Sequence, residues 1–188
     1  MKQNRVTGQF IFYMLTLLAV LVMLMVIFGF SAENAVLSSE RSGSITMRIL
    51  DAASRWFHIK ISQSAARGWQ KILETPLRKS AHFMEYALLS YLVNWHMLAR
   101  KMYKEPDFFM KNRKQAITIL KRELCLGLLF CVCYAISDEL HQLFVPGRAG
   151  RLFDVCVDGA GACFGMVIFL TMPLQKVTMI RKERKDAL

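Results

Sequence analysis

The chain has 188 residues, about one domain by length. Hydrophobic residues make up 54% and mean hydropathy is +0.30, with several apolar runs near the ~20 residues a bilayer demands. This excludes an ordinary soluble domain and points to an integral membrane protein. The net charge of +11 would suggest nucleic acid in a soluble protein. Here basic loops at an anionic cytoplasmic surface account for it, and no zinc-knuckle or recognition-helix pattern competes.

In chain order, Lys2 and Arg5 precede an apolar stretch, Phe10 to Ala32, with no charge until Glu33. At about 1.5 Å per residue it crosses a hydrocarbon core. It is too long for a signal peptide, and Phe30 before Ser31-Ala32 offers no small-x-small cleavage site, so it reads as a retained span. Ser31, Glu33, Ser38, Ser39 and Ser42 give a polar exit. Over 44–74 the pattern is helical and amphipathic: Ile45, Ile49, Ala52, Ala53 and Trp56 share one face, opposite Arg48, Asp51 and Arg55. A second short piece carries Trp69, Ile72 and Leu73. Such a segment lies in the membrane interface or packs on the protein's own spans.

Pro76, Arg78 and Lys79 flank a second span over 81–99. Residues 100–123 read as a basic loop with Arg100, Lys101, Lys104, Lys111, Arg113, Lys114, Lys121 and Arg122, its later part helical along the surface. Spans three and four are expected over 124–144 and 154–174, and the tail from Gln175 is basic. No internal repeat or separate soluble domain is visible, so 1–188 reads as one all-α membrane domain: a polytopic helical bundle of about four spans plus an amphipathic external segment. The five cysteines, Cys125, Cys131, Cys133, Cys156 and Cys163, lie in apolar segments without a CxxC and read as buried.

The basic loop and tail favour both termini in the cytoplasm. With four spans, the exit of span one, entry of span two, exit of span three and entry of span four then share the outer face. Glu33, His82, Glu85, Asp138, Glu139, His141, Arg148, Asp154 and Asp158 sit at those positions. His82, Glu85 and Tyr86 are spaced i, i+3, i+4, as are Asp138, His141 and Gln142. Asp154 and Asp158 are i, i+4. Gly161, Ala162 and Gly165 leave room for another helix to approach closely.

Ionisable groups at membrane depth mark a substrate path unless they only pair with one another. Arg148 and Arg151 beside the Pro146-Gly147 turn offer bidentate forks for phosphate or carboxylate, with Tyr86 and Gln142 as neighbours. His82, Glu85, Asp138, Glu139, His141, Asp154 and Asp158 are the candidates for acid–base chemistry. The histidines and carboxylates can in principle hold zinc, but no HExxH occurs, and no metal or cofactor is expected. No serine elbow is present, and Cys156 lies in an apolar wall.

At these residues the chain resembles the VanZ-like family of small bacterial membrane proteins, named after a teicoplanin resistance protein. The resemblance rests on FGFSAENAVLSSERSG (28–43), KSAHFMEYALL (79–89) and YAISDELHQLFVPGRAGRLFDVCVDGAGACFG (134–165). The chain departs at Glu33-Asn34, where members commonly carry glutamine, and at Asp158-Gly159. The resemblance implies a multi-pass protein of the cell membrane with an envelope role and a connection to glycopeptide susceptibility. The expected function is an outward-facing polar site binding an anionic amphiphile, a membrane lipid or lipid-linked cell-wall intermediate, without nucleic acid. Two alternatives stand beside it: a membrane-embedded hydrolase using the His/Asp/Glu cluster, and a structural membrane factor.

Overall fold

The computed structural model describes residues 2–105 and 113–185, with side chains over 7–105 and 120–171. Lys111, expected in the basic loop, lies outside the described residues. The described chain is all helix: α1 (Lys2–Ser31), α2 (Ala35–Phe57), α3 (Gln63–Lys104), α4 (Arg113–Gln142) and α5 (Leu152–Lys185). Three helices contain segments long and apolar enough to cross a membrane: Thr7–Ser31, Leu120–Gln142 and Leu152–Thr171. The protein is a multi-span membrane helical bundle.

No stretch of α3 reaches that apolarity among the described residues. Its 81–99 part is instead the most enclosed portion of the bundle. α3 packs against each of the other four helices, and Tyr86, Ala87, Leu89, Ser90, Val93, Asn94, Leu98 and Ala99 are buried. A helix wrapped by protein can carry polar groups that a lipid-facing helix cannot. Asn94, for example, donates to the Ser90 carbonyl at 2.7 Å. The main core joins Val20, Met23 and Ile27 of α1 to Tyr86, Leu89 and Val93 of α3, Cys131 and Ala135 of α4, and Ala162 of α5. A second cluster near the other end sets Leu98, Leu124 and Phe169 around Trp95, whose ring meets Phe169 edge-on at 5.4 Å.

The tightest helix pair is α3 with α5. A side chain at Gly161 would collide with the Phe83 carbonyl, and one at Gly165 with that of Ala87. Both spacings are four residues, so the glycine stripe runs along the α3 backbone in parallel. Lipid tails give helices no hydrophobic reason to associate, and close backbone packing supplies the attraction instead.

Several expected boundaries change. α2 begins at Ala35 rather than near residue 44, because the Asn34 side chain accepts the Leu37 N–H at 2.9 Å and caps the helix. The short piece around Trp69 and the 81–99 stretch form one helix that continues through Pro76. The basic loop is largely helical: α3 runs to Lys104, and α4 starts at Arg113 and continues into the apolar stretch. Four cysteines, Cys125, Cys133, Cys156 and Cys163, are exposed on the bundle surface, and only Cys131 is buried. An apolar membrane helix turns part of its circumference outward, so apolar surroundings in sequence do not imply burial.

α2 and the start of α3 form a hairpin with an inverted pattern. Ser38, Ser42, Gly43 and Thr46 face α3, while Ile45, Ile49, Trp56 and Phe57 point away from the protein. The buried hydroxyls are satisfied along their own helix: Ser42 donates to the Ser38 carbonyl at 3.0 Å and Thr46 to that of Ser42 at 2.9 Å. Ser39 donates to Glu74 across the pair, and Gly43 leaves space that Gln70 fills.

Two neighbouring glycines test the α3–α5 contact. A Cβ at Gly159 meets nothing within 4 Å. Gly159→Ala is expected to stabilise by about 0.5–1 kcal/mol through helix propensity. Gly161→Ala forces the backbones apart and is expected to destabilise by about 1–3 kcal/mol. Thermal unfolding in detergent checks both, and equal stability of the two variants would contradict the packing argument.

Candidate functional site

The site forms where the end of α4, the turn over 143–151 and the start of α5 meet the middle of α3. The turn places Gly147 at φ +75, a conformation that favours glycine. Its tip docks on α2: the Ala35 N–H reaches the Pro146 carbonyl at 3.4 Å, and the Ala35 Cβ lies 3.0 Å from where a Gly147 side chain would start.

Arg148 is then directed at the end of α1. Its Nε donates to the Glu33 carbonyl at 2.9 Å, Nη2 to that of Phe30 at 3.1 Å, and Nη1 to Gln142 Oε1 at 3.4 Å. The last carbonyls of a helix lack intrahelical donors and carry partial negative charge, so a guanidinium there satisfies both needs. Burial lowers the Arg148 pKa from its ordinary value and Arg78 pushes the same way, while Asp138, Glu33 and Glu139 oppose them.

Below this strap, carboxylates gather. Gln142 passes the connection onward by donating Nε2 to Asp138 Oδ2 at 3.2 Å. Glu139 Oε2 accepts the Arg151 N–H at 2.7 Å, holding the turn to the last turn of α4. Lys79 pairs with Asp154 and lies 4.4 Å from the centre of the Phe153 ring. At the centre, His82 of α3, Asp138 of α4 and Asp158 of α5 each bring one ligand-type atom within 4.8 Å of the others. His82 Nδ1 lies 3.5 Å from Glu85 Oε2.

This centre holds buried polar atoms without partners among the described residues: His82 Nδ1, Glu85 Oε2, Tyr86 Oη and Asp158 Oδ1 make no hydrogen bond. Asp158 is only 1% exposed. Such atoms cost free energy unless something else satisfies them. Next to them opens a pocket of about 120 Å³, lined by His82, Glu139, Gln142, Arg148, Arg151, Asp154 and Asp158 together with Arg78 and Lys79.

Of the residues singled out in the sequence, seven therefore line one pocket. Asp138 joins through the three-residue centre and Glu85 stands behind His82. Tyr86 is fully buried, its ring 6.3 Å from that of Tyr134, and does not line the pocket. His141 turns toward α1, its ring 4.7 Å from that of Phe28, and is not part of the lining. Glu33 pairs with Arg41 at 2.5 Å. Sequence reasoning gave Arg78 and Lys79 only a flanking role. Their spacing of four and three residues before His82, which puts them on its helix face, was the available signal. The three-residue centre has no spacing signature because each member comes from a different helix.

A multi-span helical bundle with a histidine–carboxylate centre enclosed between its helices is the class that this fold and site define. Within that class the chain belongs to the VanZ/LLP1 family, whose family model matches residues 10–173. Neither a curated protein nor a solved structure matches it.

The Arg148 strap has a measurable consequence. Arg148→Ala removes the charged donor shared by the Phe30 and Glu33 carbonyls and Gln142 and is expected to destabilise by about 1.5–3 kcal/mol, the range for hydrogen bonds to a charged group. Arg148→Lys, a point charge without the fork, is expected to restore only part of this. Thermal unfolding checks it. Full stability in the alanine variant would refute the structural role of the strap.

Proposed function

We propose that this protein is a membrane-embedded hydrolase acting on the anionic head group of an envelope amphiphile. The observation that carries the reading is the convergence of His82, Asp138 and Asp158, with unpartnered atoms, beside a pocket rimmed by Arg78, Lys79 and Arg151. A site that only tied helices together would satisfy its own polar atoms. The substrate class is a phospholipid or an isoprenoid-linked wall intermediate: the basic rim engages phosphate, while the bilayer holds the tail. Where the amphiphile is a wall precursor, altered teicoplanin susceptibility follows from its consumption.

Water held between His82, Asp138 and Asp158 attacks phosphorus. Glu139, already fixed through one oxygen by the Arg151 N–H, takes the proton that the water loses. The bond from phosphorus to the leaving oxygen breaks, and Glu139 returns the proton to that oxygen. One water is consumed, giving an alcohol and a phosphate monoester from a phosphodiester, or an isoprenyl monophosphate and inorganic phosphate from a diphosphate. Glu85, beside His82 Nδ1, orients the imidazole.

In this reading the 81–99 part of α3 is the second of four spans, both termini are cytoplasmic and the pocket opens outside. The basic residues of α3's end, the start of α4 and the tail support that orientation. The α2–α3 hairpin lies in the outer interface, its outward Ile45, Ile49 and Trp56 entering the headgroup region while Arg48 and Arg55 meet phosphates. In a cysteine-free background, a single cysteine at Ala149, exposed in the same turn as Gly147, is expected to label from outside intact cells, and one at Lys104 only after permeabilisation. The reverse pattern would overturn the orientation.

A binding site without turnover is the second reading, favoured by the basic rim alone. Full-length protein in nanodiscs separates the two. Release of phosphate or head group from isoprenyl diphosphate or phosphatidylglycerol is expected, with Glu139→Gln lowering the rate by roughly 10²–10⁴ while lipid binding persists. Binding without turnover in the wild type would favour the second reading, and neither would leave a structural factor.

A further inference from the structure

The hydrolase reading leaves two buried carboxylates without a counter-charge. Asp138 is 3% exposed and Asp158 1%. Among the described residues neither has a cationic side chain within ion-pair distance: Lys79 is committed to Asp154, and Arg148 to two carbonyls and Gln142. Two adjacent carboxylates removed from water repel each other and lose hydration, a cost of several kcal/mol for each ion. They would also repel the phosphate that the basic rim attracts. The arrangement has a purpose if a cation belongs between them.

We infer that His82, Asp138 and Asp158 form a binding site for a divalent first-row metal ion, with one open side toward the pocket. This deepens the hydrolase reading and rests on it only for the role of the ion. The three ligand atoms lie within 4.8 Å of one another. Ligands on a zinc-like ion sit at most about 4.4 Å apart, so small side-chain rotations bring the set onto a cation. Asp158 Oδ1 is unpartnered among the described residues, and Asp158 is almost fully enclosed.

The supporting groups also fit. Gln142 donates to one oxygen of Asp138, as expected of a carboxylate held for coordination. Glu85 stands 3.5 Å from His82 Nδ1, where it can fix the ring with the opposite nitrogen toward the ion. One imidazole and two carboxylates suit Zn²⁺ or Mn²⁺, whereas Ca²⁺ takes six to eight oxygens. Three protein ligands leave positions for water and a phosphate oxygen, the pattern of catalytic rather than structural sites.

The test uses the full chain in nanodiscs, stripped with a chelator and titrated with Mn²⁺ or Zn²⁺ alone. One ion per chain is expected after gel filtration, and pulsed electron paramagnetic resonance of the Mn²⁺ form is expected to detect one coordinated imidazole nitrogen. His82→Ala is expected to remove the nitrogen signal. Asp158→Asn is expected to weaken affinity by more than the roughly 10–100-fold typical of losing an outer-shell partner. His96→Ala, at a histidine outside the site, is expected to match the wild type. If the site variants fail to fold, the wild-type spectrum decides alone. Absence of bound ion, or a bound ion without nitrogen coupling, overturns the inference. Turnover by metal-free protein removes the metal's role and leaves the hydrolase standing, while a bound ion without turnover removes the hydrolase and leaves the site.

Discussion

The close seating of Gly161 and Gly165 on the backbone of Phe83 and Ala87 is the contact on which the rest of the structure depends. One helical turn before Gly161–Ala162 comes Asp158, and one residue before Phe83 comes His82. Parallel helices in van der Waals contact therefore bring a carboxylate and an imidazole together almost automatically. A larger residue on the stripe would move the two backbones apart and separate the site before its charges were touched. In lipid, where apolar burial gives no preference for protein over tail, this packing must be close to be attractive.

The third helix is positioned differently. α4 meets α5 and α3, but its depth relative to α1 is fixed by polar ties. Tyr134 donates to the Leu24 carbonyl at 2.7 Å, and Arg148 reaches the end of α1 while holding Gln142, which in turn holds Asp138. A chain of donors thus runs from the helix terminus of α1 to the centre. Arg148 acts in this chain as a positioning group. Its fork is spent on protein acceptors, so among the described residues lining the pocket the cations with freedom to meet a ligand are Arg78 and Arg151.

Much of the bundle was legible in the sequence because membrane helices have a strong compositional signal. Phe10 to Ala32 and the two runs around Cys131 and Cys163 announced themselves. The i, i+3, i+4 spacing placed His82 with Glu85, and the glycine stripe announced a close helix partner. Helix continuity was harder to read. Pro76 suggested a boundary, yet the helix passes through it because α2 and α5 pack on either side and hold both halves in place. Serines 38 and 42 read as a polar exit from the first span, yet with Thr46 they form the buried face of α2, the Ser42 and Thr46 hydroxyls bonding their own helix. The joint site of His82, Asp138 and Asp158 is a property of three helices in contact, and no single segment encodes it. His141 illustrates the converse. Its spacing from Asp138 put it on the site face, but its ring packs on the Phe28 ring of α1 and does not line the pocket.

The order of layers along the bundle explains why chemistry sits where it does. Outermost is the turn with Arg148 and Arg151, then the Lys79–Asp154 pair, then the carboxylate–imidazole centre, and beneath it an apolar floor of Leu89, Val93, Cys131, Ala135 and Ala162. A charged centre set above such a floor cannot relax inward, since moving a carboxylate toward those side chains only removes more of its hydration. It cannot relax outward either, because each member sits on a helix whose depth is fixed by packing or by the Arg148 chain. The unpartnered oxygen of Asp158, with the His82 ring beside it, is therefore held in place by the fold around it, ready for a partner that the described residues do not supply.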